Sequence, residues 1–486
     1  MSLSTALNIA QSSLFNLSRQ TSVVSNNISN AGNENYVRRS AALESMNPGV
    51  RFVSVRRHAD VELFRSSIQS SANFEAQNTL HSHINGLKSS IIGANGELSV
   101  SSHLTAFHNA LQVYSASPSD GLLGEAAVNS AKDLVRRLND AANAIQSTRT
   151  SVDAEIGANV DRLNSLLSDF YEANKEITKG TIAGTDVSNA LDRRDTLIKE
   201  ISKIVPVSTI QRANNDLVLM SNGATLFETT PRDVTFTPQT AYGPSTVGNL
   251  VRIDGIPVDA GTGANTTAKG SLAALLQVRD TVTVDLQNQL DEVARGLIDT
   301  FAERDPSGGG LPALAGLFTY PGGPGVPAAG TVVQGLALTI SVNSLFDPAQ
   351  GGDPALLRDG GANGAGYIEN TSGAASFADR LIRYNEALDA PIAFDATAGI
   401  GSSKSLVAFA ADSLGWLEGY RASANEAAIT KQALAVQLNE ALISESGVNL
   451  DEEMSRLLDL ENTFEASARL IRAVDQMLQD LLAAVR

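Results

Sequence analysis

Gly447-Val448-Asn449-Leu450-Asp451-Glu452-Glu453-Met454 opens a run that reaches Arg486 without a proline or glycine. Asn449 is placed to cap it, because its side-chain oxygen can accept from the free backbone N–H groups of a first helical turn. Glu452, three residues on, completes a capping-box pattern. Asp451, Glu452 and Glu453 set negative charge on the positive end of the helix dipole, and the Glu452-Glu453 pair reads as exposed helix-start charge. Leu450, Met454, Leu457, Phe464, Ala468, Ile471, Leu478, Leu482 and Val485 follow steps of four and three, a heptad seam interrupted at Glu461 and Asp475. A second stripe, Leu470, Val474, Met477 and Leu481, runs beside it. A helix with two apolar stripes needs partners on two sides. At ~1.5 Å per residue the run is roughly 55 Å long, more than a small globular core covers.

The opposite end mirrors this pattern. Leu3, Leu7, Ala10, Leu14, Leu17, Thr21, Val24, Ile28 and Ala31 repeat the four-three step. The residues between them are mostly Ser, Asn, Gln and Thr, which cost less to bury than charges. The segment ends in Ser25-Asn26-Asn27-Ile28-Ser29-Asn30-Ala31-Gly32, where Gly32 is a natural stop, and Tyr36 follows.

Residues 50–205 read as helical. One helix stops near Gly93, a short one spans Ser101 to Tyr114, and a long heptad helix after Asp120 ends at Lys179-Gly180. From Pro206 the period changes to two. Asn222-Gly223 and Asp254-Gly255 sit between short apolar runs as type I′ hairpin signals, and Val234 to Thr237 is a further strand. Residues 269–304 return to helix. Residues 305–373 are rich in Gly and Pro, with a strand candidate at Leu336 to Val342, and a long helix runs from Ser402 to just before Gly447. The expected fold is mainly α with inserted β. Long N- and C-terminal coiled-coil helices (1–35 and 450–486) form an inner domain. A helical-bundle middle shell takes 36–205, 268–304 and 374–449, and a small β-rich, loop-rich outer insert takes 206–267 with 305–373.

A net charge of −17 argues against a nucleic-acid surface, where phosphates demand a basic face. No run of 18 apolar residues exists, so no membrane insertion is expected. The N-terminus also lacks the early positive charge and apolar core of an ordinary signal peptide. Cysteine is absent, which removes disulfides, thiolate chemistry and Cys-type zinc sites. His58, His81, His83, His103 and His108 are poorly spaced for one metal and read as structural or solvated. Gly263 to Gly270 fails as a phosphate loop, with Ala268 in place of the second Gly and Gly270 in place of Ser or Thr. No catalytic, cofactor-binding or metal-binding residues are assigned, and the chain does not read as an enzyme.

The Leu-heptad helix followed by Asn26, Asn27, Asn30 and Tyr36, together with 447–454, Phe464-Glu465-Ala466-Ser467-Ala468-Arg469 and Val474-Asp475-Gln476-Met477-Leu478, resembles the terminal signatures of the bacterial flagellar rod, hook and hook-associated axial proteins. Asn33-Glu34-Asn35-Tyr36 departs from the Thr-Pro-Gly-Tyr turn usual there. Ala190 to Val205, with Asp192, Arg193, Arg194 and Asp195, is similar to a stretch in the hook-associated members. The resemblance implies a secreted structural protein of the hook–filament junction, exported uncleaved through the flagellar type III channel. It implies partners as well: further copies of itself in a helical tier, hook protein below, a second junction protein and filament above, and an export chaperone on the C-terminal helix. Leu3, Leu7, Leu14, Leu17, Val24 and Ile28 are expected to meet Leu457, Phe464, Ile471, Leu478 and Leu482, with Leu450 and Met454 in the same assembly interface. Another axial protein of hook or rod, or a coiled-coil surface adaptor with a β head, remains open from the residues alone.

Overall fold

The computed structural model describes residues 3–45 and 50–484, with the side chain of Leu3 outside the described part. Val485 and Arg486, the end of the expected seam, also lie outside it. The chain starts with α1 (Leu3–Ser29). It leaves through a turn closed by Asn33 N–H to the Asn30 carbonyl and by Tyr36 N–H to the Asn33 carbonyl, at 2.9 and 3.0 Å. An antiparallel hairpin follows, β1 (Arg39–Ser45) and β2 (Val50–Arg57). This corrects the helical reading of 50–57. Val50, Phe52 and Val55 favour a strand, and α1 supplies a surface for it: Phe52 N–H donates to Asn16 Oδ1 at 3.0 Å and Asn16 Nδ2 donates to the Val50 carbonyl.

Four helices build the middle: α2 (Val61–Ile91), α3 (Val100–Ala116), α4 (Gly121–Ala183) and α5 (Ser188–Ile204). Helix α4 starts where Asp120 accepts from Leu122 N–H and keeps one buried stripe from Val128 to Ile177. It passes through Gly180, the expected stop, and ends one turn later at Gly184, whose φ of 69° is left-handed.

The outer strands come next. β3 (Ser208–Gln211), β4 (Leu217–Ser221) and β5 (Ala224–Phe227) form one antiparallel sheet. β6 (Val234–Thr235), β7 (Arg252–Ile253) and β8 (Ile256–Pro257) form another. Both turns read from the sequence are present. Asn222 and Gly223 have φ of 46° and 87°, and Asp254 and Gly255 have φ of 49° and 79°, the paired positive φ of a type I′ turn.

Helix α6 (Ser271–Gln277) continues through a π turn at Val278–Val282 into α7 (Thr283–Thr300). Gly270 enters this run with φ +79°, and its N–H donates to the Ala72 carbonyl at 2.9 Å. A Cβ there would stand 2.4 Å from the Ile204 carbonyl oxygen, so only glycine lets α2, α5 and α6 converge. Beyond α7 lie β9 (Phe318–Thr319), α8 (Leu336–Thr339), β10 (Ser341–Val342), α9 (Leu356–Asp359) and α10 (Asp379–Asp389). Leu336–Thr339 is therefore a helical turn rather than the expected strand, with only Ser341–Val342 extended. Asp291 of α7 accepts from the Gly335 and Ala337 N–H groups at 2.8 Å each, satisfying the free donors that start a helix. β11 (Ile392–Ala393) pairs with β12 (Ser403–Lys404), and the long α11 (Leu406–Ser446) and α12 (Leu450–Ala484) close the chain.

One large core joins α2 to α7, α10, α11 and the outer sheets. Phe107, Phe301, Phe318 and Tyr384 bring α3, α7, β9 and α10 together, with ring centroids 4.6 Å apart for Phe301–Tyr384 and 5.2 Å for Phe107–Phe301. The Gly-rich loop is held by a carboxylate in addition to the packing of Ala362 against the core. Buried Glu303 accepts from the Gly361, Ala362 and Asn363 N–H groups at 2.8, 3.1 and 2.7 Å and from Arg380 at 3.2 Å. Phe301→Ala should cost about 3–5 kcal/mol of stability, measured by urea unfolding followed by circular dichroism.

Candidate functional site

Helices α1 and α12 pair antiparallel. Asn449 caps α12 as expected, accepting from Asp451 N–H at 3.0 Å and Glu452 N–H at 3.4 Å. Glu452 leans toward Arg38, 3.8 Å away, instead of closing the expected capping box. The seam against α1 runs through Glu453, Leu457, Leu460, Ser467, Ile471, Val474 and Leu478, of which Glu453, Leu460 and Val474 are buried. Leu17, Val24 and Leu460 form its apolar centre, flanked by Ile28 and Leu457. Ser13 and Ser467 hydroxyls meet at 3.3 Å further along.

At the root of this pair stands a polar joint. Asn27 Nδ2 donates to Glu453 Oε2 at 3.0 Å and to the Arg39 carbonyl at 2.8 Å. Its Oδ1 accepts from Tyr36 OH at 2.8 Å and Arg39 N–H at 3.1 Å. Arg38 Nε donates to Glu453 Oε1 at 2.7 Å. On the other side of the hairpin, Arg39 donates to Asn189 and Asp192 at 2.7 and 2.6 Å, and Arg57 donates to Asp192 and Asp195 at 2.7 and 2.6 Å. Arg194 turns inward to Asn174 at 3.0 Å, and burial pushes its pKa down to about 10. The Arg39 guanidinium covers the Tyr36 ring at 4.5 Å, and burial pushes the Tyr36 phenol up. A cleft of about 380 Å³ opens beside the joint, walled by Phe64, Leu191, Ile198, Leu217 and Leu442 with Lys199 among them.

Two sequence motifs thus meet in space. Asn27, Tyr36, Asp192 and Asp195 are linked through the hairpin arginines. Asn30 Nδ2 caps the Asn26 carbonyl at 2.8 Å, and Arg193 faces outward to Glu176. Among the proposed seam residues, Leu17 and Val24 are buried, while Leu7, Leu14, Ile28, Leu457, Ile471 and Leu478 are half-buried. Leu450, Met454, Phe464 and Leu482 are 47–71% exposed. Leu457, Ile471 and Leu478 of the expected seam therefore stay in it, while Leu450, Met454, Phe464 and Leu482 give way to Glu453, Leu460, Ser467 and Val474. Glu453, read as exposed charge, is 1% exposed, because pairing with Asn27 and Arg38 offsets its desolvation. Arg38, Arg39, Arg57 and Asn189 were also missed. The residues Asn47-Pro48-Gly49, a turn-favouring composition between the apolar runs at Leu43 and Phe52, were the signal in the sequence that could have placed them on a hairpin. Among the described residues no cluster of His, Asp and Glu could hold a metal ion, and no helix is long and apolar enough to cross a membrane.

Residues 88–316 match the family model of the flagellar hook-associated protein FlgK helical domain, and residues 440–484 match that of the flagellar basal body rod FlgEFG protein C-terminal segment. The chain is 22% identical to flagellar hook-associated protein 1 of Bacillus subtilis, over 95% of this chain and 94% of that protein. It is 25% identical to the protein of the same name from Salmonella typhimurium, over 63% of this chain and 57% of that protein. Among solved structures, the flagellar hook junction protein FlgK from Burkholderia pseudomallei aligns with a TM-score of 0.43 and 16% identity, over 53% of this chain and 46% of that one.

Asp192 carries both hairpin arginines, so Asp192→Asn should weaken the docking of β1–β2 on α5 by about 3–5 kcal/mol. The exposed Arg51→Ala should change it by no more than ~0.5 kcal/mol. Hydrogen exchange of the hairpin and α5 amides reads both. His58 adds a pH dependence. Burial, with Arg38, Arg56 and Arg456 nearby, holds its imidazole below the usual range. Between the folded and unfolded pKa values only the unfolded chain takes the proton. Stability therefore falls as pH drops through and below ~6.5. His58→Gln should remove that component from thermal midpoints compared at pH 8 and pH 5.

Proposed function

We propose that the chain is a member of the flagellar hook-associated protein 1 family, structural proteins of the hook–filament junction, and that it joins hook to filament by stacking its own terminal helices with those of neighbouring copies. One observation carries the reading. The α1–α12 pair, held at its root, leaves Phe15, Leu450, Met454, Leu458, Phe464, Leu470, Met477, Leu481 and Leu482 roughly half or more exposed. Apolar rows of that size on a soluble surface mark contacts still to be made. Burying them against further copies would offset the ordering cost of two long helices.

Helix α1 divides into three faces. One meets α12 through Ser13, Leu17 and Val24, and one meets the hairpin through Ser12, Asn16 and Arg19. The third, Ser4, Asn8, Gln11, Phe15, Ser18 and Ser22, carries no charge and is exposed. Small polar groups on such a face suit close packing between helices or the lining of an aqueous tube. In this reading α1 and α12 form the inner wall, the bundle of α2 to α7 with α10 and α11 the next shell, and the β sheets with the Gly-rich loop the outside. Hook protein would lie below, a second junction protein and the filament above, and an export chaperone would cover α12 before assembly. No enzymatic step is assigned to the chain.

A rod or hook role is the second reading, since the C-terminal match belongs to rod proteins. The match of 88–316 to the hook-associated helical domain favours the junction. Removal of residues 450–486 should leave the bundle folded, with an unchanged main thermal transition, and abolish filament attachment in a strain lacking the native gene. Filaments retained by that truncation would overturn the reading.

A further inference from the structure

The hairpin and α12 flank α1 on different sides at one height. Asn16 meets β2, while Leu17, next in sequence, clusters with Leu460 of α12. Their outer sides therefore face different directions, and those sides are oppositely charged. Residues 38–58 hold five arginines, Arg38, Arg39, Arg51, Arg56 and Arg57, against the single acid Glu44, in a chain of net charge −17. Helix α12 holds eight carboxylates against three arginines.

The joint uses Arg38, Arg39 and Arg57. Arg51 and Arg56 remain exposed: Arg51 pairs only with exposed Glu44, and Arg56 has no carboxylate partner among the described residues. Between them Val53 is 52% exposed. It is the extra residue of a bulge, since Phe52 pairs with Leu43 and Ser54 with Ala42, and bulges re-aim a side chain. On α12, Asp451, Met454, Leu458, Glu461 and Glu465 follow steps of three and four. They form one stripe on the side away from the α1 seam, and all are exposed. Glu461 has no ion-pair partner among the described residues, and Glu465 has only exposed Arg469.

We propose that the outer side of β1–β2 in one copy docks on the Asp451–Glu465 stripe of α12 in the adjacent copy. The arginines meet carboxylates, and Val53 enters between Met454 and Leu458. Two different patches on one molecule make a heterologous contact, which propagates around a tier instead of closing a dimer. Charge complementarity fixes its register and rejects the like-charged pairings of hairpin with hairpin or α12 with α12. The contact rests on the self-assembly reading above and names the surfaces that carry it.

The test uses the parent bacterium with the native gene deleted. Arg51→Glu with Arg56→Glu should lose filaments, and so should Glu461→Lys with Glu465→Lys. The four changes in one chain should restore them. Co-expression of the two pair variants should also restore them, because each reversed hairpin then finds a reversed α12 on a neighbour. The chain contains no cysteine, so Val53→Cys with Leu458→Cys should give covalent multimers in oxidised, isolated flagella, and Val53→Cys alone should not. Filaments retained by either pair variant, or multimers absent from the double-cysteine flagella, would overturn the contact. Failure of the unchanged allele to restore filaments would overturn the junction role itself, and this contact with it.

Discussion

The hydrogen bond from Asn27 to Glu453 spans 426 residues of sequence, and the geometry of the terminal helices follows from it. A carboxylate with 1% exposure is tolerable only when its oxygens are satisfied, and Asn27 and Arg38 supply the donors. Asn27 in turn has two donors and two acceptor sites, and all four are taken, by Glu453, the Arg39 carbonyl, Tyr36 and Arg39 N–H. A slip of α12 along α1 would bury the carboxylate against apolar side chains and leave Asn27 short of an acceptor. A single polar position fixes register in this way in coiled coils, at some cost in stability. The apolar centre of Leu17, Val24 and Leu460 is too small to set register by itself.

This joint explains how one chain can hold two regions of unequal stability. The bundle has a continuous core from Ile68 to Leu417 and a long α4 to organise it. The terminal pair buries few side chains and keeps large apolar ones outward. Opening of the pair is therefore the low-energy local event, and in the proposed reading assembly would cover its exposed rows. The arginine hairpin lies between the two regions. It reaches Glu453 on one side and Asp192 and Asp195 on the other, so a rearrangement of the helices is felt in α5 through charge-assisted bonds with defined angles.

Much of this was legible in the sequence because periodicity is a direct image of burial. The stripe of α4, the Asn449 cap of α12 and the paired turns at Asn222-Gly223 and Asp254-Gly255 each announce themselves within a few residues. The misses share a cause. Glu453, Arg38, Arg39 and Arg57 are charged, and a charged residue reads as exposed unless its partner is known. Here the partners lie far away in sequence, Asp192 being 153 residues from Arg39. Leu336–Thr339 reads as strand because nothing local shows Asp291 waiting to cap a helix there. The seam of α12 keeps Leu457, Ile471 and Leu478 from the expected row and departs from its other members for the same reason. Leu450 and Met454 are the greasier choice, but Glu453 has the partner.

The distribution of charge completes the physical picture. An acidic chain of this size repels its own copies at long range, which keeps it dispersed. Placing arginines on one short hairpin gives a local exception to that repulsion, in a single orientation relative to the helices beside it. Salt screens the general repulsion over about 10 Å at 0.1 M, while close pairs that exclude water are screened less. With the proposed contact, a protein arranged in this way would stay apart from its copies at low concentration and meet them in one orientation when held together at a growing tip. The same hairpin would serve both relations, its inner arginines binding the chain to itself and its outer ones addressing a neighbour.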